Sequence, residues 1–189
     1  MRQNLAAGPA TTDPARPAVP SWRLLWLTLG LVSFPVLLID QASKLWIVSH
    51  LKLYETIPLV PHWLDLTYTL NPGAAFSLFA GLTAHLRATL LLTVSIATAL
   101  IIVWVLARSE CFTPVTLGLG LILGGAGGNL IDRAVKGRVV DFIYVHYRQA
   151  FRYPVFNLAD SAITIGVALI LFEALTTSHA DTPPPEKSG

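Results

Sequence analysis

Four long apolar stretches divide the chain, and polar residues flank each of them. Each stretch approaches or reaches the ~20 residues that an α-helix needs to cross a bilayer. Trp22 and Arg23 precede the first stretch, where an aromatic ring and a long cation suit a membrane interface. The pattern therefore predicts four membrane-spanning helices, over residues 24–39 with a polar continuation through Lys44, 88–107, 111–131 and 158–175.

Two segments between these stretches have the character of β-strands. Residues 62–70 alternate between apolar and polar side chains, which is the period of a half-buried strand. The tripeptide at 71–73, Asn-Pro-Gly, predicts a turn after it. Residues 139–147 are rich in β-branched and aromatic side chains and can pair with the first strand. We therefore expect an all-α membrane protein with four transmembrane helices and a small β-rich subdomain outside the bilayer.

The two ends of the chain have a different composition. Residues 1–21 are rich in Ala, Pro and Thr and cannot bury a core, so we expect them to be disordered, as we do the tail 178–189. We expect no cleavable signal peptide, because the first apolar stretch lacks a small-residue cleavage site before Asp40. A single membrane domain is predicted over 22–177, with extramembrane segments at 45–85 and 133–157.

The composition narrows the class of protein. The chain is 53% hydrophobic and 13% charged, against about a quarter charged residues in a soluble domain. A net charge of +2, with no basic stripe along a helix, argues against a nucleic-acid partner. The single Cys111 excludes an internal disulfide and a Cys-based metal site, and the five His have no ligand spacing. We expect neither a metal nor a cofactor.

Three glycines recur every four residues in the third apolar stretch: Gly120, Gly124 and Gly128. This spacing lets two membrane helices approach closely, although glycine is also common in membrane helices generally. We favour helix packing, because the glycines lead directly into the polar residues Asn129 and Asp132.

The order of the four crossings has a consequence for the polar residues. The loops after the first and third helices must lie on the same side of the membrane, so polar residues far apart in the chain gather at one face. Ionisable groups at the edge of hydrocarbon are costly and are candidates for function, and two carboxylates in one pocket suit acid–base hydrolysis. The residues brought to this face are Asp40, Lys44, Asn71, Asn129, Asp132, Arg133, Asp141, Asn157 and Asp160.

The distribution of Lys and Arg gives one indication of orientation. Eight of the 13 lie on the shared face and five on the opposite face. By the positive-inside rule this count places the shared face in the cytoplasm.

Simpler interpretations exist for several of these residues. Asp132 and Arg133 could form a local ion pair, Lys44 could neutralise Asp40 four residues away, and Asn157 could cap the last helix. Glu173 is expected to reach the far interface.

Two other classes of protein must also be weighed. A transporter or channel subunit would carry polar residues along the whole length of its helices, whereas here they cluster at one end. An assembly subunit would explain the glycines but not two carboxylates at one face.

Five short sequence boxes carry a resemblance to a known family. They are Asp40-Gln-Ala-Ser-Lys44, Asn71-Pro-Gly-Ala-Ala-Phe76, Gly124-Gly-Ala-Gly-Gly-Asn-Leu-Ile-Asp-Arg133, Val139-Val-Asp-Phe142 and Phe156-Asn-Leu-Ala-Asp-Ser161. In this order, over residues 23–175, they resemble the boxes of bacterial lipoprotein signal peptidases, also called signal peptidase II.

The resemblance implies a four-helix aspartic protease of the bacterial inner membrane with both termini in the cytoplasm. Such enzymes cleave a signal peptide just before a cysteine that carries a diacylglyceryl group. The site would then face the periplasm, against the charge count. The expected partners are a diacylated prolipoprotein and membrane lipids, and we expect a monomer.

The resemblance also implies roles for individual residues. The catalytic carboxylates fall on Asp141 and Asp160, and the residues that match the lining of the site are Asn71, Asn129, Arg133 and Asn157. A further three match residues that hold the structure together: Asp40, Lys44 and Asp132. Two carboxylates that share one proton can activate water and polarise a carbonyl, and the first turn of a helix favours the ionised form of Asp160.

Overall fold

The computed structural model describes residues 21–73, 83–148 and 150–180. The predictions for residues 1–20 and 181–189, and the part of one sequence box at 74–76, lie outside the described residues.

Helices make up most of the described chain. The four long apolar helices suited to crossing a membrane span Trp22–His50, His85–Leu106, Pro114–Lys136 and Leu158–Thr177, which confirms the prediction of four. The first is continuous but contains one π-helical segment. The helical elements are α1 (Ser21–Thr28), the π segment (Leu29–Ser33), α2 (Phe34–His50), α3 (Ala84–Leu106), α4 (Pro114–Lys136) and α5 (Leu158–Ala180).

The third helix extends further than its apolar pattern indicates. It continues through Asp132 and Arg133 to Lys136, so the first four residues of the segment predicted over 133–157 are helical. Gly137 ends the helix in the left-handed conformation, with φ of 67°, where glycine meets no steric penalty. Apolarity is a poor guide here because the charged Asp132, near the end of the helix, is buried in an ion pair with Lys44.

A small antiparallel sheet covers one end of the bundle. Its strands are β1 (Thr56–Val60), β2 (Leu64–Asn71), β3 (Val139–Tyr147) and β4 (Phe151–Arg152), in the order β1-β2-β3-β4. The predicted pairing between β2 and β3 is confirmed, whereas β1 and β4 were not predicted. In the register of this pair Thr69 lies opposite Asp141 and Asn71 opposite Val139. The sheet thereby brings Asn71 next to the carboxylate of β3.

Glycines allow α4 to lie at the centre of the bundle. A Cβ added to Gly120 would lie 2.7 Å from Thr28 Cγ2, and one on Gly124 2.5 Å from the Ser33 carbonyl oxygen. The other side of α4 meets α5 just as closely, since a Cβ on Gly118 would lie 2.6 Å from the carbonyl oxygen of Gly166. The packing role predicted for the glycine stripe is confirmed, and a second contact line toward α5 is added.

The end of α4 away from the sheet is capped from two elements. Thr113 and Thr116 form a reciprocal capping box, and Pro114 occupies the first turn. Glu173 of α5 accepts a 2.6 Å hydrogen bond from the backbone N–H of Val115. A carboxylate at a helix N-terminus is favoured by both the free N–H groups and the dipole. Glu173 therefore joins two helices.

We expect Gly125→Ala to disrupt the bundle at the base of the site. The added Cβ would collide with the carbonyl oxygen of Ala159, which is backbone and cannot rotate away. Gly127→Ala is the matched control, because its Cβ would meet only the end of the flexible Leu37 side chain at 3.0 Å. Thermal unfolding in detergent should show a loss of several degrees or more for Gly125→Ala alone. Equal unfolding temperatures would contradict this packing.

Candidate active site

Asp141 and Asp160 are brought together by one asparagine. Asp141 lies on β3 and is 2% exposed, while Asp160 lies in the first turn of α5. Asn157, just before α5, donates from Nδ2 to Asp141 Oδ1 at 2.7 Å. Its backbone N–H donates to Asp160 Oδ2 at 3.3 Å, and its Oδ1 accepts from the Asp160 N–H at 2.9 Å. Asn157 thus caps the helix and also bridges the two carboxylates.

Two more asparagines complete the donors to this pair. Asn71 donates from Nδ2 to Asp141 Oδ2 at 2.9 Å, and its Oδ1 accepts from the Gly73 N–H at 2.8 Å. Asn129 donates from Nδ2 to Asp160 Oδ1 at 2.8 Å. Every oxygen of the two carboxylates therefore accepts a hydrogen bond from an asparagine.

The net effect of the surroundings of Asp141 is to raise the pKa of its carboxyl. Burial raises the pKa of the Asp141 carboxyl to about 6, opposed by the Asn71 hydrogen bond and reinforced by the charge of Asp160. The hydrogen bond from Asn157 and the charge of Lys44 lower it again by smaller amounts. A carboxyl with a pKa near neutrality can both give and take a proton at physiological pH.

Arg133 supplies positive charge close to the pair. It is half-buried, and its guanidinium interacts electrostatically with Asp160, Asp141 and Asp132. Within the described residues, it forms no ion pair at salt-bridge distance; Asp132 pairs instead with Lys44 at 3.0 Å and with Lys136 at 3.2 Å. The simpler interpretation of Asp132 and Arg133 as a local ion pair is therefore wrong, because Asp132 points into the bundle and pairs with Lys44 and Lys136.

A buried ion cluster lies directly beneath the carboxylate pair. Lys44 Nζ lies 2.7 Å from Asp40 Oδ2, as its helical spacing predicted, and 3.0 Å from Asp132 Oδ2. Asp40 Oδ1 accepts from the Ala159 N–H at 2.9 Å, and Asp132 Oδ2 from the Val140 N–H at 3.3 Å. The cluster therefore ties α2 and α4 to the segments that carry both carboxylates. Removing one member of such a buried set leaves an unpaired charge and costs about 3–5 kcal/mol.

An open cavity of about 400 Å³ borders Asp160. Its wall is mostly aromatic and aliphatic, and the carboxyl of Asp160 is its charged group. The sequence shows that the segment between α4 and α5 is rich in aromatic residues, but no spacing in it predicts that their rings face α5. The lining residues are Val145, Phe151, Tyr153, Phe156, Asp160, Ser161, Thr164 and Ile165. Such a cavity suits an apolar ligand whose reactive group meets a carboxyl.

Comparison with known proteins decides the family. The sequence model of the family described as "Signal peptidase (SPase) II" matches residues 32–176. The chain belongs to the signal peptidase II family. It is 40% identical over 163 residues to the lipoprotein signal peptidase of Pseudomonas putida, covering 85% of this chain and 92% of that one. The lipoprotein signal peptidase of Desulforapulum autotrophicum is 42% identical over 154 residues, covering 81% and 94%.

Solved structures agree with the fold. The chain superimposes with a TM-score of 0.71 and 30% identity on a structure described as "Bacterial membrane enzyme structure by the in meso method at 2.3 A resolution". The match covers 83% of this chain and 93% of that one. A second such structure, at 1.9 Å resolution, gives a TM-score of 0.70 at 28% identity. This protein of the signal peptidase II family is thus an integral membrane protein of the bacterial inner membrane and a protease, which sets aside the transporter and scaffold alternatives.

The structure brings the residues singled out in the sequence into two connected layers. The carboxylate layer holds Asp141, Asp160 and their donors Asn71, Asn129 and Asn157, with Arg133 nearby. The ion-cluster layer holds Asp40, Lys44 and Asp132. One contact between the layers had no signal in the sequence: Lys44 Nζ donates to Asn129 Oδ1 at 2.9 Å.

Proposed function

We propose that this protein hydrolyses the signal peptide of a prolipoprotein just before a diacylglyceryl-modified cysteine, with Asp141 and Asp160 as an aspartic dyad. The observation that carries the proposal is the bridge that Asn157 makes between the two carboxylates. It holds two acids within one hydrogen-bond network, and one of them, Asp160, lines an apolar cavity.

The dyad divides the chemistry of amide hydrolysis between its two members. Asp160 accepts two donors in the first turn of α5 and acts as the ionised base that takes a proton from water. Asp141, whose pKa burial raises to about 6, carries the proton and donates it toward the carbonyl oxygen. The water oxygen attacks the carbonyl carbon and gives a tetrahedral diol. As the C–N bond breaks, Asp160 gives the proton taken from water to the leaving amine, and Asp141 takes a proton back from a hydroxyl of the diol, which restores the dyad. Protons in such a pair belong to the dyad rather than to one residue.

Three polar side chains around the dyad suit the substrate. Arg133 lies in the field of both carboxylates and can stabilise the developing oxyanion or hold a backbone carbonyl of the substrate. Asn71 and Asn129 donate to Asp141 and Asp160 and so orient the two carboxylates toward the substrate. The aromatic wall of the cavity suits the acyl chains of the lipid and apolar residues of the signal peptide.

We also propose that the enzyme acts as a monomer, with the dyad at the periplasmic face and membrane lipids around its four helices. Both carboxylates and all their donors come from one chain, so a second copy is not needed to complete the site. The periplasmic orientation follows the family rather than the count of Lys and Arg. Two of the eight cations counted on that face, Lys44 and Lys136, are held in ion pairs, and without them the count is about six against five, which gives little preference for either orientation.

The experiment that tests the function is direct. Purified protein is incubated with a diacylated prolipoprotein, and the products are measured by mass spectrometry. We expect a free signal peptide and a mature chain whose first residue is the lipidated cysteine. Absence of cleavage in every detergent and lipid mixture would refute the proposed activity.

Orientation is tested by labelling in spheroplasts. Single cysteines placed at Thr56 and Ala150, both on the sheet side of the bundle, are expected to react with a membrane-impermeant thiol reagent. Native Cys111, in the loop between α3 and α4, should react only after lysis. The reverse pattern would show that the charge count reports the true orientation.

A further inference from the structure

The cluster under the dyad contains a contact that a purely structural role does not require. Lys44 Nζ has three hydrogens and no lone pair, and it meets three acceptors: Asp40 Oδ2, Asp132 Oδ2 and Asn129 Oδ1 at 2.9 Å. The third of these acceptors belongs to the residue that donates to Asp160. Lys44 is thus two hydrogen bonds away from the dyad.

An ammonium group fixes the orientation of the amide that it binds. Because Lys44 can only donate, the oxygen of the Asn129 amide must face it, and the NH₂ must face Asp160 Oδ1 at 2.8 Å. Asn157 Nδ2 also reaches Asn129 Oδ1, at 3.2 Å, but it lies closer to Asp141 Oδ1, at 2.7 Å. The orientation of the Asn129 amide therefore depends mainly on Lys44.

We infer that Lys44 is a positioning residue of the dyad: by holding the Asn129 amide with its NH₂ toward Asp160, it keeps Asp160 as the ionised base. This inference rests on the proposed function. Without Lys44, the amide can turn by half a rotation and place its oxygen against Asp160 Oδ1. Two facing oxygens need a proton between them, so Asp160 would be held protonated and could not accept a proton from water.

The variants must preserve the charge of the buried cluster. Lys44→Met alone would leave Asp40 without its cation and make the cluster more negative by one charge, so it is combined with Asp132→Asn, which restores the net charge. Lys44→Arg retains both charge and donors and serves as the conservative variant. Asn129→Leu removes the amide donor with little change in shape and leaves the ion pairs of Lys44 intact. The charged and titratable groups that face this chain of contacts are Asp40, Asp132, Arg133, Lys136, Asp141 and Asp160.

The measurement is kcat and KM for a diacylated prolipoprotein as a function of pH. In Lys44→Met/Asp132→Asn we expect kcat to fall about tenfold to a hundredfold, as for loss of a hydrogen bond to a charged group. KM should stay within about threefold, and the acid limb of the kcat profile should move up by about one pH unit. Asn129→Leu should show the same displaced limb, and adding Lys44→Met/Asp132→Asn to it should displace the limb no further, because residues that act as one unit are not additive.

In Lys44→Arg, the acid limb of the kcat profile should lie at the same pH as in the parent enzyme. A merely structural role for Lys44 would change the yield or thermal stability of these variants and leave that pH unchanged. A parent-like acid limb in folded Lys44→Met/Asp132→Asn overturns the inference. If that variant does not fold, a parent-like limb in Asn129→Leu overturns it equally. Failure of the parent enzyme to cleave the substrate would instead refute the proposed function itself.

Discussion

Replacing either carboxylate, by Asp141→Asn or Asp160→Asn, is expected to lower turnover by several orders of magnitude. Each substitution removes a proton site from a pair that must hold one proton and one charge at once. The double variant should be hardly slower than either single variant, because members of one catalytic unit are not additive. The measurement is cleavage of a diacylated prolipoprotein by matched amounts of folded enzyme.

Asp132→Asn is the matched control for this prediction. It removes a third carboxylate from the same end of the bundle, but one whose contacts are Lys44, Lys136 and the Val140 N–H rather than the dyad. We expect it to lower stability and to retain far more turnover than the dyad variants. Substantial turnover by Asp141→Asn or Asp160→Asn would show that the chemistry lies elsewhere, with Asp132 as the next candidate.

The second large effect concerns the lipid on the substrate. A prolipoprotein without its diacylglyceryl group is expected to be cleaved with kcat/KM lowered by a factor of a hundred or more. Burial of one CH₂ stabilises binding by about 0.8 kcal/mol, so four methylenes in the apolar cavity already account for about that factor. The measurement compares kcat/KM for lipidated and unlipidated forms of one substrate.

A variant that fills the cavity beside Asp160 tests whether the lipid of the substrate binds there. Thr164→Trp would fill space that Thr164 lines, and it should remove most of the advantage of the lipidated substrate. Val167→Trp adds the same side chain at an exposed position on α5 that does not line the cavity. It should leave the ratio of the two substrates unchanged. If the parent enzyme cleaves the lipidated and unlipidated substrates at equal rates, the enzyme does not recognise the lipid.

Much of the site was predictable because polar residues are so costly in hydrocarbon. The membrane helices carry few charged side chains. Because the loops after the first and third helices lie on the same side of the membrane, the polar residues of these distant segments gather at one face. The start of α5 at Leu158 and the strand at 139–147 were also predictable, from the end of a polar segment and from β-branched composition. The end of α4 was not, since Asp132 and Arg133 look like loop residues when their partners are unknown.

The pairing of charges depended on tertiary contacts. Asp132 is adjacent in sequence to Arg133 but pairs with Lys44, because the close approach of α4 to α2 at Gly128 brings those groups together. The strands β1 and β4 are too short or too interrupted to show a period of their own. The aromatic wall of the cavity forms only where residues of β3, β4 and the segment before α5 come to line one space with α5.

The sequence by itself determined the class of protein, the number of helices, the face on which the polar residues gather and, through five boxes, the family. These follow from hydropathy and from local residue order, which need no knowledge of neighbours in space. The tertiary structure alone decided which oxygen faces which donor: Asn157 lies between the carboxylates, and Lys44 turns the Asn129 amide. It also decided that, among the residues the structure describes, Asp132 pairs with Lys44 and not with its neighbour Arg133. Hydrogen bonds depend on ångström distances between segments far apart in the chain, and no periodicity in a sequence encodes those distances.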